Sequence, residues 1–455
     1  MEYYDILQSQ KDYFSTNNTK DINFRIKNLK HLKAIIIKNE KKLYNAIYED
    51  IGKSEFETYE TELSTIYREL DTAIKKLKKW SSKKKVKTNI VNFPAKSYII
   101  AEPLGCSLII SAWNYPYQLS LIPSISAIAA GNTVILKPSE LAPKTSEIIA
   151  EIINNSFPKN YFHVIEGAVK ETKDLLSLRY DKIFFTGSTE VGKLVHSAAS
   201  QNLTPVTLEL GGKSPAFILD SKKINITAQR IAWAKFLNAG QTCVAPDYIV
   251  IDKKIEIEFL EALKYNINKY YRLDSEKSDN YTRIINQRHF DRLSALIDKK
   301  HIFIGGNTDK ENLYISPTVL RNIDFSHQIM KDEIFGPILP IITFNNLDDA
   351  IKDVKSIEKP LSLYIFSNNN EKTNKIINEL SFGGCCINDA VMQLSNKNLP
   401  FGGVGHSGMG RYYGEYGFKD FSNFKSILHK SFLFEPNIKY LPYTKQKLNI
   451  IKRIL

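Results

Sequence analysis

Apolar and polar positions along this chain fall into two textures. Between about residues 20 and 80 the period is helical: Phe56, Tyr59, Leu63, Ile66, Leu70, Ile74 and Leu77 recur at intervals of three and four. That spacing places them on one stripe of a helix and predicts that the stripe is buried. From about Ser97 strand-length apolar runs alternate with helix-length segments: SLIISAW, TVILKPS, FHVIEG, KIFFTG and TLELGG. Beyond Gly212 the texture resumes with DYIVID, LPIITF and LSLYIFS as strands, and helices are predicted over 255–271 and 349–359. Strands that alternate with helices predict parallel sheets with crossover helices and ligands at the strands' carboxyl ends. The expectation is therefore an α/β chain of two domains, with the seam near Gly211 and Gly212.

Composition changes this picture little. With 455 residues, 43% apolar and 24% charged, the chain is an ordinary globular protein too long for one core. It has no apolar run of eighteen residues, and its N-terminus, MEYYDILQSQKDYF, lacks the layout of a signal peptide, so a cytoplasmic protein is expected. Four cysteines, Cys106, Cys243, Cys385 and Cys386, show neither zinc nor disulfide spacing. The net charge of +13, densest in IKKLKKWSSKKKVK, is spread through a Lys-rich chain without a nucleic-acid reader motif, so no nucleic-acid partner is expected. The tail KQKLNIIKRIL puts Leu448, Ile451, Ile454 and Leu455 on one side of a helix and basic residues mostly on the other. That pattern suits peripheral membrane contact or a cap on the substrate entrance, although so short a helix more often packs on its own protein.

Two glycine-rich stretches invite nucleotide readings. KIFFTGSTEVGKL, residues 182–194, comes within one residue of a triphosphate loop, but Leu194 stands where a Ser or Thr must hold Mg²⁺. A strand, turn and helix N-terminus remain, which suits a pyrophosphate. GVGHSG, residues 403–408, matches a dinucleotide pattern without a clear preceding strand and is discounted. Cys243, in the small-residue stretch NAGQTCVAPDY, is a fitting nucleophile, since thiolate attack needs access. Cys106, Cys385 and Cys386 read as small buried hydrophobes.

Read together, SAWNYPY with Asn114, TLELGGKSP with Glu209, GQTC with Cys243 and EIFGP with Glu333 strongly resemble the aldehyde dehydrogenase superfamily. TVILKPSE, FFTGSTEVGK and PFGGVGHSGMG match it as well, in order, from roughly residue 20 to 425. The short N-terminus, the WNYP form and PNIKYLPYTK look most like its class 3 branch, which includes the fatty aldehyde dehydrogenases. The resemblance implies two Rossmann-like domains and a small β arm: 1–82 with 101–210 binding NAD(P), 211–395 catalytic, 83–100 with 396–430 for oligomerisation, and 431–455 a basic tail. It implies a homodimer that oxidises aliphatic or aromatic aldehydes to carboxylic acids. Cys243 would form a thiohemiacetal, Asn114 and the Cys243 N–H would hold its oxyanion, and Glu209 would activate water on the thioester. Glu333 would hold the nicotinamide ribose or share the base role. Lys137 and Glu140 would take the adenosine ribose, which favours NAD while leaving NADP possible. Ser188 and Gly187 would meet the pyrophosphate, with Trp113, Val191, Leu210 and Phe335 around the cofactor. Tyr115, Trp233, Thr242, Phe401 and the segment 390–399 would shape the substrate pocket. An acylating enzyme that passes the thioester to coenzyme A is the alternative, and Glu209 as water activator disfavours it.

Overall fold

The computed structural model describes residues 2–454 apart from 221, 272–277 and 279. Two sheets organise it. The first has six strands in the order Gly408–Met409, Val206–Glu209, Lys182–Thr186, Cys106–Ile110, Thr133–Lys137 and Phe162–Val164, all parallel except the two-residue edge. Its strands read as continuous apolar runs because helices cover both faces. Chain order reverses between Cys106–Ile110 and Lys182–Thr186, so the crevice beyond these two strand ends is the switch point where doubly wound sheets bind ligands.

The second sheet has seven strands, in the order Ile302–Ile304, Thr318–Leu320, Ile338–Phe344, Tyr248–Asp252, Pro215–Ile218, Ser362–Phe366 and Gly384–Ile387. All pairs are parallel except the first. Pro215–Ile218 and Gly384–Ile387 were not read from the sequence. The former is four residues long and opens on proline, and the latter, GCCI, carries a glycine and two cysteines and follows another glycine, so β propensity is weak. Cys385 and Cys386 lie on that edge strand and are half-buried, which corrects the expectation of full burial: an edge strand has a neighbour on one side only. Cys106, in the middle of the first sheet, is fully buried, and burial pushes its thiol up to about 12.

The N-terminal helices pack on the first sheet. Leu63, Ile66, Leu70 and Leu77 are buried there, each contributing about 1.5–3 kcal/mol of apolar burial. Phe56 and Tyr59 are exposed, contrary to the predicted stripe. A π-helical turn over Tyr59–Leu63 separates Glu55–Thr58 from Ser64–Trp80. Widening to i→i+5 inserts one residue, so side chains before the turn rotate off the seam.

A three-stranded antiparallel sheet of Lys84–Val86, Ala95–Pro103 and Ser422–Lys430 stands apart, the last two paired over nine residues. The stretch at 403–408 belongs to no βαβ unit: Gly408 pairs antiparallel with Glu209. The tail forms the helix Lys445–Ile454, with Leu448, Ile450 and Ile454 exposed and no residue buried, so it does not pack into the core; Leu455 lies outside the described residues.

Candidate active site

Every candidate group in the first sheet follows a strand: Trp113 and Asn114 after Cys106–Ile110, Lys137 ending Thr133–Lys137, Ser188 after Lys182–Thr186, Glu209 ending its strand. Those of the second sheet precede strands: Cys243 before Tyr248–Asp252, and Glu333 and Phe335 before Ile338–Phe344. Carboxyl ends of one sheet thus face amino ends of the other across the Gly211–Gly212 link.

The thiol is raised on a strained turn. Asn238, Ala239 and Gly240 all have positive φ, at 54°, 51° and 71°. Each left-handed non-glycine residue costs about 1–2 kcal/mol, which surrounding contacts must offset. Position 240 also has no room for a side chain, because a Cβ there would lie 2.3 Å from the Gly336 carbonyl oxygen. Hydrogen bonds hold the turn: Asn238 Nδ2 donates to the carbonyls of Asn114 (2.8 Å) and Gln241 (3.1 Å), and Gln241 Nε2 donates to Arg283 O at 2.9 Å. Asn114 Nδ2 donates to Gln241 O at 3.1 Å, which ties the candidate oxyanion donor to the cysteine loop and leaves its second N–H for another acceptor.

Around Cys243 lie two carboxyl groups. Burial pushes the thiol well above its usual range, and the charges of Glu333 and Glu209 push it further, while the N–H groups of Cys243 and Val244 act in the opposite direction. Glu209 is 2% exposed, and neither of its oxygens has a hydrogen-bond partner among the described residues. Burial holds its carboxyl well above the ordinary range, with Arg411 opposing and Asp420 reinforcing the shift. Glu333 is pushed up to about 8 by burial and Asp247, against the Gly212 N–H, Lys213 and Arg292. Gly211 leaves it space, since a Cβ there would fall 2.0 Å from Oε2.

The thiol opens into a cavity of about 440 Å³. Tyr115, Trp233, Thr242, Cys243, Phe401 and Val391 are among its lining residues. Tyr115 and Thr242 bond to each other through their hydroxyls at 2.6 Å. On the opposite side of the seam, Lys137 is 2% exposed and pairs with Glu140 at 2.8 Å. The buried Thr186 hydroxyl has no hydrogen-bond partner among the described residues. Ser188 caps Thr189–Ser200 by accepting from the Val191 N–H at 3.4 Å. Val191 is 42% exposed, whereas Leu210 is buried. Gly187 does not have a left-handed φ; it is small because a Cβ would meet the Phe185 ring at 2.5 Å. Gly192 serves packing, with Leu210 Cδ2 2.7 Å from where its Cβ would be. Trp113 and Phe335 meet edge-to-face at 5.5 Å, and Phe335 has a φ of 49°.

Several groups were not singled out from the sequence. Lys53 and Glu62 form a wholly buried ion pair at 2.9 Å. Lys53 Nζ also donates to Asn114 O at 3.1 Å and lies 4.2 Å from the centre of the Tyr115 ring, while Glu62 accepts from the N–H groups of Tyr117 and Gln118. Together they fix the peptide that carries Asn114. Their only trace in the sequence was a lysine followed nine residues later by a glutamate beside the apolar stripe. Lys235, fully buried without a hydrogen-bond partner among the described residues, is lowered to about 8 by burial, against the charge of Asp247.

Comparison with known proteins gives the family. Residues 2–427 match the Aldehyde dehydrogenase family. The chain is 47% identical to the 4,4'-diaponeurosporen-aldehyde dehydrogenase of Staphylococcus aureus over 97% of its own length and 96% of the other's. It is 43% identical to the dimeric NADP-preferring aldehyde dehydrogenase of Rattus norvegicus, covering 95% of each. A solved structure, the substrate-bound state of Staphylococcus aureus AldH, superposes with a TM-score of 0.96 at 46% identity, over 99% of this chain and 98% of that one. Other relatives are named as family 3 members. The chain belongs to the aldehyde dehydrogenase family, on its family 3 side, and is an oxidoreductase acting on aldehydes.

Proposed function

We propose that the chain oxidises aliphatic or aromatic aldehydes to carboxylic acids, with Cys243 as nucleophile and NAD, or alternatively NADP, as cofactor. The observation that carries this reading is a partly buried thiol at a cavity wall together with the buried carboxyl of Glu209, whose charge reaches the sulfur and whose oxygens have no hydrogen-bond partner among the described residues.

As the Cys243 sulfur attacks the carbonyl carbon, the carbonyl oxygen becomes an oxyanion. The free N–H of Asn114 and the Cys243 N–H are the donors for it, and preorganised donors of this kind contribute about 2.7–4 kcal/mol each. Burial and two carboxyl groups hold the thiol above its usual range, so attack by the sulfur calls for a group that takes its proton. Glu209 is proposed to take it, and later to take a proton from the water that cleaves the thioester and releases the acid. Glu333 assists as a second acceptor or holds a ribose.

The residues along the seam fit a dinucleotide. Lys137 donates and Glu140 accepts at a ribose edge, the orphaned Thr186 hydroxyl and the Ser188 helix start suit phosphate, and Trp113, Phe335, Val191 and Leu210 supply apolar walls. When bound, its nicotinamide supplies a hydride acceptor. Glu140 opposes a 2′-phosphate, which favours NAD; a relative named as NADP-preferring keeps NADP in the proposal. The assay is direct: protein, NAD and hexanal or benzaldehyde, following absorbance of the reduced cofactor. Cys243→Ala is expected to lose about 10³-fold or more of the rate, and equal turnover by that variant overturns the mechanism.

A homodimer is proposed through Ser422–Lys430, an edge strand with Phe424 and Leu428 exposed, in line with the relative named as dimeric. No helix among the described residues is long and apolar enough to cross a membrane. Four free cysteines suit the reducing cytoplasm. Peripheral contact through Lys445–Ile454 is proposed from its exposed Leu448, Ile450 and Ile454 beside Lys445, Lys447, Lys452 and Arg453. Equal sedimentation with anionic liposomes, with and without residues 445–455, would remove that contact.

A further inference from the structure

Far from the thiol in sequence and role, Asp298, His301 and His327 bring one ligand atom each within 4.8 Å of one another, and all three are half-buried. Asp298 starts the 3-10 turn Lys299–His301 that leads into the edge strand Ile302–Ile304, and His327 starts the turn Gln328–Met330. Both histidines aim Nε2 at one atom, Asp298 Oδ2, at 3.9 Å from His301 and 3.8 Å from His327. The other carboxylate oxygen is already used, accepting from the Lys300 N–H at 3.0 Å.

His301 Nδ1 lies 2.9 Å from the Arg321 carbonyl oxygen. A carbonyl only accepts, so Nδ1 carries the proton and Nε2 of the neutral ring presents its lone pair to a carboxylate oxygen. Two electron-rich atoms that face each other need a cation between them. A backbone carbonyl behind a histidine is also the partner that orients imidazole toward a metal. His327 is set differently: its Nδ1 accepts from the Ile329 N–H at a long 3.3 Å, a weak cap that it must give up to ligate through Nε2.

We propose that Asp298, His301 and His327 form a binding site for one divalent transition-metal ion, of the zinc or cobalt class. Two imidazoles and a carboxylate select such ions over Mg²⁺ or Ca²⁺, and leave a fourth position for water. Metal bonds of roughly 2.0–2.1 Å would bring each histidine Nε2 about half an ångström nearer to Asp298 Oδ2, a shift that half-buried side chains can make. The ion would pin the edge strand to the 324–330 loop.

The test uses tag-free, full-length protein carrying Cys243→Ala, so that the candidate nucleophile cannot ligate. Co²⁺ titrated at pH 8 is expected to give visible d–d absorbance saturating at one ion per chain, displaced by Zn²⁺. His301→Asn and His327→Asn should each weaken binding at least about tenfold. Both positions are partly exposed, and an unchanged circular-dichroism melt of the metal-free variants confirms that they fold. Absence of the absorbance, as when the three groups share only a proton, overturns the site, and so does binding that both variants leave intact.

Discussion

At the switch point of the six-stranded sheet the strand ends carry groups with spare bonding capacity: the Thr186 hydroxyl and both Glu209 oxygens lack partners, and Asn114 keeps one N–H. The seven-stranded sheet has its own switch point between Pro215–Ile218 and Ser362–Phe366, and a crevice there too, of about 180 Å³. That crevice is closed by its own polar groups. Asp220 accepts from the Asn368 N–H at 2.6 Å, Asn388 Oδ1 from the Ser367 N–H at 2.8 Å, and Arg230 donates to the Asn388 carbonyl. Two sheets of the same construction have therefore diverged in use. One keeps its carboxyl ends unsatisfied for ligands; the other satisfies them and contributes its amino ends, with Cys243 and Glu333, to the shared seam. The topological rule finds a ligand site only where buried bonding capacity is left over.

Three variants break or sharpen this contrast. Glu209→Gln should lower steady-state turnover by roughly 10²–10⁴-fold, with a burst of reduced cofactor before the slow phase, because hydride leaves before hydrolysis. Its pH profile is the sharper readout. Burial raises the Glu209 carboxyl, so the active, ionised base is lost as pH falls through that raised value, at a higher pH than for a solvated glutamate. The wild-type rate should therefore climb with pH through that raised value and the Gln variant should not; a parallel climb would move the base role to Glu333. Asn114→Ala should cost roughly 10²–10³-fold in kcat with little change in the affinity for NAD, measured by cofactor fluorescence. A loss confined to KM would mean that Asn114 only positions substrate. Smallest of all, Arg230→Ala at the closed crevice should change kcat/KM less than about twofold. A tenfold drop there would show that the second switch point takes part after all.

Much of the candidate site was legible because chemistry demands residue types that stand out in context: a thiol among small residues, and an Asn in a Trp-Asn-Tyr-Pro run. Lys53 and Glu62 were not legible, since a lysine or glutamate is ordinarily solvated and only burial against Asn114 and Tyr115 makes these two different. Phe56 and Tyr59 were misplaced for a related reason. Apolar spacing assumes a constant 3.6-residue turn, and the π turn at Tyr59–Leu63 breaks that assumption without altering the pattern of letters.

The sequence by itself determined the alternation of strands and helices and the α/β class, and it singled out the candidate thiol and carboxylates, because periodicity and residue chemistry are local properties. Only the tertiary structure decided which ends of the two sheets face each other, that Glu209 is buried without a partner, and that two distant histidines share one aspartate. Those outcomes depend on which groups the packed chain leaves unsatisfied, and that is settled when segments far apart in sequence meet.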